Sequence, residues 1–219
     1  MPGWLKFWAR QPVQTIFPPE TSLHSVRYAV LDTEFTSLDQ RSNRLLSVGA
    51  VTMEGASIRM GEQFYRVLNP GVEVPASTVV VHQLRPVDIE QGEPPLQVLG
   101  ELRDYIAGAV VVGHFVKIDL DLLRKELRAT EHSLDCPVVD TAHVYRWLLR
   151  KGHYTEDLFH RLEHTDLASL AKINNIEFRE AHHALDDAFV TARLWQKLIY
   201  QLESRGVRTL AALLKIATP

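Results

Sequence analysis

The sequence predicts an α/β domain in which a mixed central β-sheet is flanked by α-helices. Three apolar runs near the start of the chain have the β-branched and aromatic composition of strands. Segments with helical spacing then alternate with short apolar runs bounded by polar residues. Consecutive strands followed by alternating helices and strands are typical of a sheet with antiparallel and parallel pairs.

The strands are predicted from apolar runs and from the turn signals that bound them. Glu54-Gly55 is a hairpin signal between the second and third strands. Residues 70–95 are rich in proline and glycine, and we expect loops and a short helix that cover the sheet. The predicted strands cover residues 26–35, 44–53, 56–68, 110–112 and 138–139.

The helices are predicted from apolar residues that recur at helical spacing. Thr165-Asp166 has the composition of an N-cap, so a helix is expected to begin directly after it. We expect three segments in the chain: an N-terminal arm (1–25), the main domain (26–204) and a C-terminal helical tail (205–219). The predicted helices cover residues 96–107, 118–128, 141–151, 167–173, 184–202 and 209–216.

The composition sets limits on the class of protein. The chain has 219 residues, 46% of them apolar, which is enough for one large domain or two small ones. Its one cysteine, Cys136, excludes an internal disulfide and argues against a cysteine-based zinc site. Because no apolar run reaches the ~18 residues of a membrane span and no signal peptide is evident, we expect a cytoplasmic protein. The net charge of −3 gives no overall attraction to nucleic acid.

The N-terminal arm differs from the rest of the chain. Two of the four tryptophans, Trp4 and Trp8, lie in its first eight residues, and prolines at 12, 18 and 19 interrupt any helix. The arm is expected to fold back onto the domain. The alternative is an amphipathic segment that docks on a partner protein or a membrane surface.

The first predicted strand ends with two carboxylates, Asp32 and Glu34. Alternate residues of a strand point to the same face, so both acids are expected on one side of the sheet. Two like charges at a buried strand end are unstable unless a cation lies between them. Carboxylate oxygens are preferred ligands of Mg²⁺ and Mn²⁺, which makes the pair a candidate metal site; a loop with two solvated acids is the alternative.

Two further acids lie on apolar helix faces, and each has a nearby acid on a more polar face. Asp119 is in line with leucines at i+4 and i+8, whereas Asp121 is in line with basic residues. Asp187 likewise shares a more apolar face than Asp186 does. We therefore predict that Asp119 and Asp187 point inward as candidate ligands, although a charge at a helix N-terminus is another role for Asp119.

His182 and His183 directly precede the long helix that carries Asp187. A histidine can accept a proton near neutral pH because its ordinary pKa is about 6.5. Beside a cluster of metal-binding carboxylates, a histidine is a natural general base for a water molecule. A helix-start residue followed by a surface residue is the alternative interpretation of this pair.

Three segments, in this order along the chain, resemble the motifs of the DnaQ-like (DEDDh) 3′–5′ exonucleases, a family that includes the epsilon subunit of bacterial DNA polymerase III. The resemblance covers about residues 27–202. The five-residue spacing of the third motif selects His182 and Asp187 rather than their neighbours. The segments are Asp32-Thr-Glu34, His114-Phe-Val-Lys-Ile-Asp119 and His182-His-Ala-Leu-Asp-Asp187-Ala.

The resemblance implies a ribonuclease H-like fold and hydrolysis of the terminal phosphodiester bond at a 3′ end of single-stranded DNA. It implies two bound Mg²⁺ or Mn²⁺ ions, release of nucleoside 5′-monophosphates, and a DNA polymerase or other replication protein as a possible partner. The implied metal ligands are Asp32, Glu34, Asp119 and Asp187. The implied general base is His182, and the residues implied to line the terminal nucleotide pocket are Thr33, Phe35 and Thr36.

Departures from the family pattern concern the substrate pocket. Ser37, Phe115 and Ile118 replace the glycine, asparagine and phenylalanine that are usual at these positions. Three alternatives remain open: an exoribonuclease, a nuclease fold kept as a binding module, and a zinc protease. The protease alternative depends on His160-Arg-Leu-Glu163-His164, whose two histidines would have to lie on one helix.

Overall fold

In the computed structural model, a five-stranded sheet lies at the centre of the described residues, which are 17–37, 42–72, 74, 84–128, 134–152, 164–178 and 182–218. The strands are β1 (Arg27–Phe35), β2 (Leu45–Glu54), β3 (Ser57–Val67), β4 (Val110–Gly113) and β5 (Val138–Asp140). Their order in the sheet is β3-β2-β1-β4-β5. Strand β1 pairs antiparallel with β2 and parallel with β4, which confirms the predicted mixed sheet.

The helices lie where helical spacing predicted them, with ends that differ by one or two residues. Asp166 caps its helix as predicted, because its side chain accepts a hydrogen bond from the backbone N–H of Ser169. Before β1, residues Leu23–Ser25 form a short 3₁₀ turn that the sequence did not predict. The described helices are α1 (Pro86–Glu90), α2 (Pro95–Ile106), α3 (Lys117–Leu127), α4 (Thr141–Lys151), α5 (Leu167–Ile173), α6 (Ala184–Ser204) and α7 (Leu210–Ala217).

Strand β1 is covered on both faces because its side chains alternate between two hydrophobic clusters. Tyr28 and Val30 lie in the cluster that contains the apolar face of α6, where the Trp195 and Tyr28 rings meet edge-on with centroids 5.4 Å apart. Ala29 and Leu31 belong to the opposite cluster, which contains the leucines of α2 and α3. The sheet thus separates an α6 layer from an α2–α3 layer, and β1 reaches both.

The hairpin between β2 and β3 turns at Gly55, as predicted. Gly55 has a φ of +54°, and a Cβ there would lie 2.4 Å from the carbonyl oxygen of His24. Glycine therefore provides both the left-handed conformation and the space that this turn needs.

None of the described helices combines the length and apolar character required to cross a membrane.

The described part of the N-terminal segment contacts the C-terminal segment. Ser22 forms a β-bridge with Thr209, and the backbone N–H of Leu23 donates to the carbonyl of Arg208 at 3.1 Å. Leu23 is fully buried. Residues 1–16, which include both tryptophans of the predicted arm, lie outside the described residues, and the predicted segment boundaries stay predictions.

Candidate active site

The carboxyl end of β1 carries the first two acids of the site. Asp32 pairs with Gly49 of β2 and Glu34 pairs with Ser47, so both carboxylates lie on the face of the sheet that α6 covers. The register shifts between Glu34 and Phe35, where regular pairing ends. The strand therefore presents two acids side by side at its last regular positions.

Asp119 reaches the site from α3, on the opposite layer of the domain. It lies in the first turn of that helix and is 5% exposed. The Thr33 hydroxyl donates to Asp119 Oδ1 at 2.6 Å, a short hydrogen bond of the charge-assisted type when the carboxyl is ionised. Because Thr33 points away from the α6 face, it links β1 to the acid that arrives from the other layer.

Asp187 reaches the site from the first turn of α6. Its Oδ2 accepts a hydrogen bond from the backbone N–H of His182 at 3.1 Å. Its Oδ1 is buried and has no hydrogen-bond partner among the described residues. A buried carboxylate oxygen without a donor is costly, and a bound cation would satisfy it.

Burial raises the pKa of all four carboxyl groups. The pKa of Glu34 is raised to about 8 and that of Asp119 to about 7. The pKa of Asp32 is raised well above its ordinary range by burial and then by the charges of Asp119, Asp187 and Glu34. At Asp187 burial raises the pKa, and the hydrogen bond from the His182 backbone opposes that rise. The charges of Asp119 and Asp187 also raise the pKa of Glu34, so acids that oppose ionisation at one place form a site that divalent cations would complete.

His182 lies at the open side of this cluster. Its ligand nitrogen and a carboxylate oxygen from each of Glu34 and Asp187 all lie within 4.8 Å of one another. The residue is exposed, and its φ of +70° is a backbone conformation that residues other than glycine rarely adopt. The imidazole is therefore accessible to water and close to the acids.

The faces assigned from the sequence are confirmed for the paired acids. Asp187 is buried, whereas Asp186 is exposed. Asp121 forms ion pairs on the helix surface, with Lys117 at 2.5 Å and with Arg124 at 3.9 Å. The structure thus brings together Asp32, Glu34, Asp119, Asp187 and His182 and leaves Asp121 and Asp186 outside.

The three residues predicted to line the nucleotide pocket all have partners within the protein. The Thr33 hydroxyl binds Asp119, and the Thr36 hydroxyl accepts a 3.0 Å hydrogen bond from the backbone of Arg44. Phe35 is half-buried against the α2–α3 cluster. Contact of these residues with substrate stays a prediction.

His114 has a structural role that the sequence did not reveal. Its ring is buried, with Nδ1 2.8 Å from the Thr141 hydroxyl and Nε2 2.8 Å from the Thr165 carbonyl. Because a carbonyl only accepts, Nε2 carries a proton, and burial lowers the pKa of the ring. His114 thereby ties the loop before α3 to the starts of α4 and α5. Phe115 follows it with a φ of +53°, a conformation that favours the asparagine usual in the family.

The zinc-protease alternative finds no support in the described part of the motif. His164 lies outside the described helices, two residues before the Asp166 cap of α5. His160 and Glu163 lie outside the described residues. The geometry that the motif would need, two histidines on one helix, is therefore not present for His164.

Known proteins resemble this chain in sequence. The RNase_T exonuclease family model matches residues 29–195. A DNA polymerase III subunit epsilon-like protein of Rhodobacter capsulatus is 29% identical over 198 residues, which are 89% of this chain. The chain spans 27% of the length of that relative.

Solved structures show the same fold. Exonuclease I of E. coli superposes with a TM-score of 0.67 at 16% identity, over 83% of this chain and 43% of that one. The nuclease domain of 3′hExo, a DEDDh family member, superposes with a TM-score of 0.66 at 11% identity, over 86% of this chain and 97% of that one. The predicted ribonuclease H-like fold is confirmed. Since the family model matches most of its length, the chain belongs to the exonuclease family, as its three DEDDh motifs predicted.

Proposed function

We propose that the chain is a 3′–5′ exonuclease that uses two divalent metal ions, Mg²⁺ or Mn²⁺, to release nucleoside 5′-monophosphates from single-stranded DNA. The observation that carries the proposal is the convergence of four acids from β1, α3 and α6 beside one exposed histidine; Glu34, Asp119 and Asp187 are buried and Asp32 is half-buried. An acid cluster with raised pKa values at the end of a central strand is a hallmark of a functional site. A binding module would not need four acids whose mutual repulsion costs stability.

The donor set of the site fits hard divalent cations. Asp32, Glu34, Asp119 and Asp187 offer only carboxylate oxygens, and Asp187 Oδ1 is buried without a partner among the described residues. When bound, two such ions would supply charge that stabilises the attacking and leaving oxygens of an in-line displacement. The four acids would hold them.

Residues of the chain position the carboxylates and accept the proton of the attacking water. The Thr33 hydroxyl fixes the orientation of Asp119, and the His182 backbone N–H fixes that of Asp187. The His182 imidazole accepts a proton from the attacking water, whose oxygen forms the new bond to phosphorus. The bond from phosphorus to the 3′ oxygen of the preceding nucleotide breaks, and that oxygen gains a proton from solvent.

Single-stranded DNA is the favoured substrate and RNA is the second candidate. The E. coli exonuclease I structure contains a dT13 oligonucleotide, and the 3′hExo domain is bound to rAMP. The R. capsulatus relative is described as epsilon-like, which supports a DNA substrate and a DNA polymerase or other replication protein as a partner. The expected cytoplasmic location stays a prediction.

A pair of DNA and RNA oligomers with the same base sequence and a 5′ label tests the proposal. With Mg²⁺ or Mn²⁺ we expect a ladder of products shortened from the 3′ end, and faster loss of the DNA. Asp32→Ala and Asp187→Ala should abolish the ladder while the circular dichroism spectrum stays unchanged.

Asp121→Asn is the matched control, since Asp121 lies two residues after Asp119 on the same helix but forms its ion pairs on the surface. It should retain wild-type activity. Absence of shortening by the wild-type protein with either metal would overturn the proposal, and preferred shortening of RNA would replace its substrate.

A further inference from the structure

A row of three paired residues crosses the sheet beside the site. Asp32 of β1 pairs with Gly49 of β2, and Gly49 pairs with Tyr65 of β3. Directly paired residues of neighbouring strands point to the same face, so the three positions lie side by side under α6. Since the middle residue has no side chain, the row has a slot between the Asp32 carboxylate and the Tyr65 ring.

The backbone at the start of α6 occupies this slot. A Cβ atom at Gly49 would lie 2.3 Å from both the carbonyl carbon of Ala184 and the backbone nitrogen of Leu185. Both atoms belong to the backbone, so no side-chain rotation could relieve the contact. Any other residue at this position would push the first turn of α6 away from the sheet, and with it Asp187.

Tyr65 forms the outer wall of the same slot. Its ring packs on the ring of His183, with centroids 4.8 Å apart and planes 30° from each other. His183 is the N-cap residue of α6, and its carbonyl accepts the backbone N–H of Asp187 at 2.9 Å. The ring contact therefore restrains the residue that lies between the proposed base His182 and the helix that carries Asp187.

We infer that Gly49 and Tyr65 are positioning residues for the reaction, an inference that depends on the proposed nuclease function. Gly49 sets the distance between the sheet and the first turn of α6. The Tyr65 ring restrains the position of the His183 ring, and this in turn restrains the His182 imidazole beside Glu34 and Asp187. In this inference both residues act through the start of α6, which carries Asp187 and follows His182.

The test measures kcat and KM for a single-stranded oligomer in variants of Tyr65. Tyr65→Phe keeps the ring and should keep wild-type kcat. Tyr65→Leu removes the stacked ring and should lower kcat about ten-fold with an unchanged KM, as expected for loss of one aromatic pair. The same substitution at the 61% exposed Tyr200 of α6 is the matched control and should change neither constant.

A double-mutant cycle identifies the route of the effect. If Tyr65 acts through His183, the Tyr65→Leu/His183→Leu protein should be no slower than the slower single variant. Multiplied losses would overturn the inference, and so would a wild-type kcat in Tyr65→Leu or a Tyr65→Phe as slow as Tyr65→Leu. An inactive wild-type protein would refute the proposed function itself, which keeps the two failures distinct.

Gly49→Ala tests the slot directly. Displacement of Asp187 and His182 by about 1 Å should lower kcat by on the order of 10²-fold. A folded Gly49→Ala protein with wild-type kcat would overturn the role of Gly49. If this variant does not fold, the narrow tolerance of the slot is established, and the Tyr65 variants decide whether the contact serves catalysis.

Discussion

The raised carboxyl pKa values predict that the metal-free protein loses stability as the pH rises from 5 to 7. Glu34 is protonated below about pH 8 in the folded chain but has an ordinary pKa of 4.5 once unfolded. In that window the folded state binds more protons, so the free energy of unfolding falls with increasing pH. One proton corresponds to about 1.4 kcal/mol per pH unit, so Glu34 contributes a fall of at most about 2–3 kcal/mol.

Urea unfolding at pH 5, 6 and 7, with EDTA present, measures this effect as the difference between wild type and Glu34→Gln. The comparison cancels the contributions of groups whose pKa does not depend on Glu34, such as His114, whose lowered pKa makes its own contribution increase with pH. Adding Mg²⁺ should raise the stability of the wild type most at pH 7, because the ions bind the ionised acids. A wild-type minus variant difference that stays constant from pH 5 to 7 would refute the electrostatic account of the site.

Two substitutions test the parts of the site separately. Thr33→Val removes the donor to Asp119 and should lower kcat/KM about 10- to 100-fold and raise the Mg²⁺ concentration needed for half-maximal rate, since a hydrogen bond to a charged group contributes about 1.5–3 kcal/mol. Thr33→Ser should retain most activity. A wild-type kcat/KM in Thr33→Val would show that the hydrogen bond between Thr33 and Asp119 does not contribute to the reaction. His182→Ala should lower kcat by about 10²–10⁴ while Mn²⁺ binding, measured by calorimetry, changes less. A wild-type rate in that variant would exclude His182 as the base.

Most of the fold followed from local signals in the sequence. Apolar runs and turn residues predicted the five strands of the described residues, and the Asp166 cap and helical spacing predicted the helices to within a few residues. Helix-face analysis separated Asp187 from Asp186 and Asp119 from Asp121, because burial of a charge is unfavourable enough to leave a visible pattern.

What the sequence could not provide were contacts between distant segments. Nothing local indicates that the Thr33 hydroxyl binds Asp119, 86 residues away, or that Tyr65 meets His183. Gly49 did leave a signal, since an isolated glycine inside an apolar strand indicates close approach of another backbone. Only the three-dimensional arrangement shows that the approaching backbone is the start of α6.

The site depends on both helical layers. Side chains of β1 point alternately to the two faces of the sheet, which explains how the three consecutive residues 32–34 contribute to both layers. Asp32 and Glu34 point to the α6 layer, which brings Asp187 and His182, while Thr33 points to the α3 layer and holds Asp119. A one-residue shift in the pairing of β1 would exchange these faces, place Thr33 on the side of Asp187 and direct both carboxylates of β1 into the α2–α3 cluster. The register between Asp32 and Gly49 is therefore a requirement of the site as much as of the fold, because one pairing fixes which acids meet and leaves room for the helix that completes them.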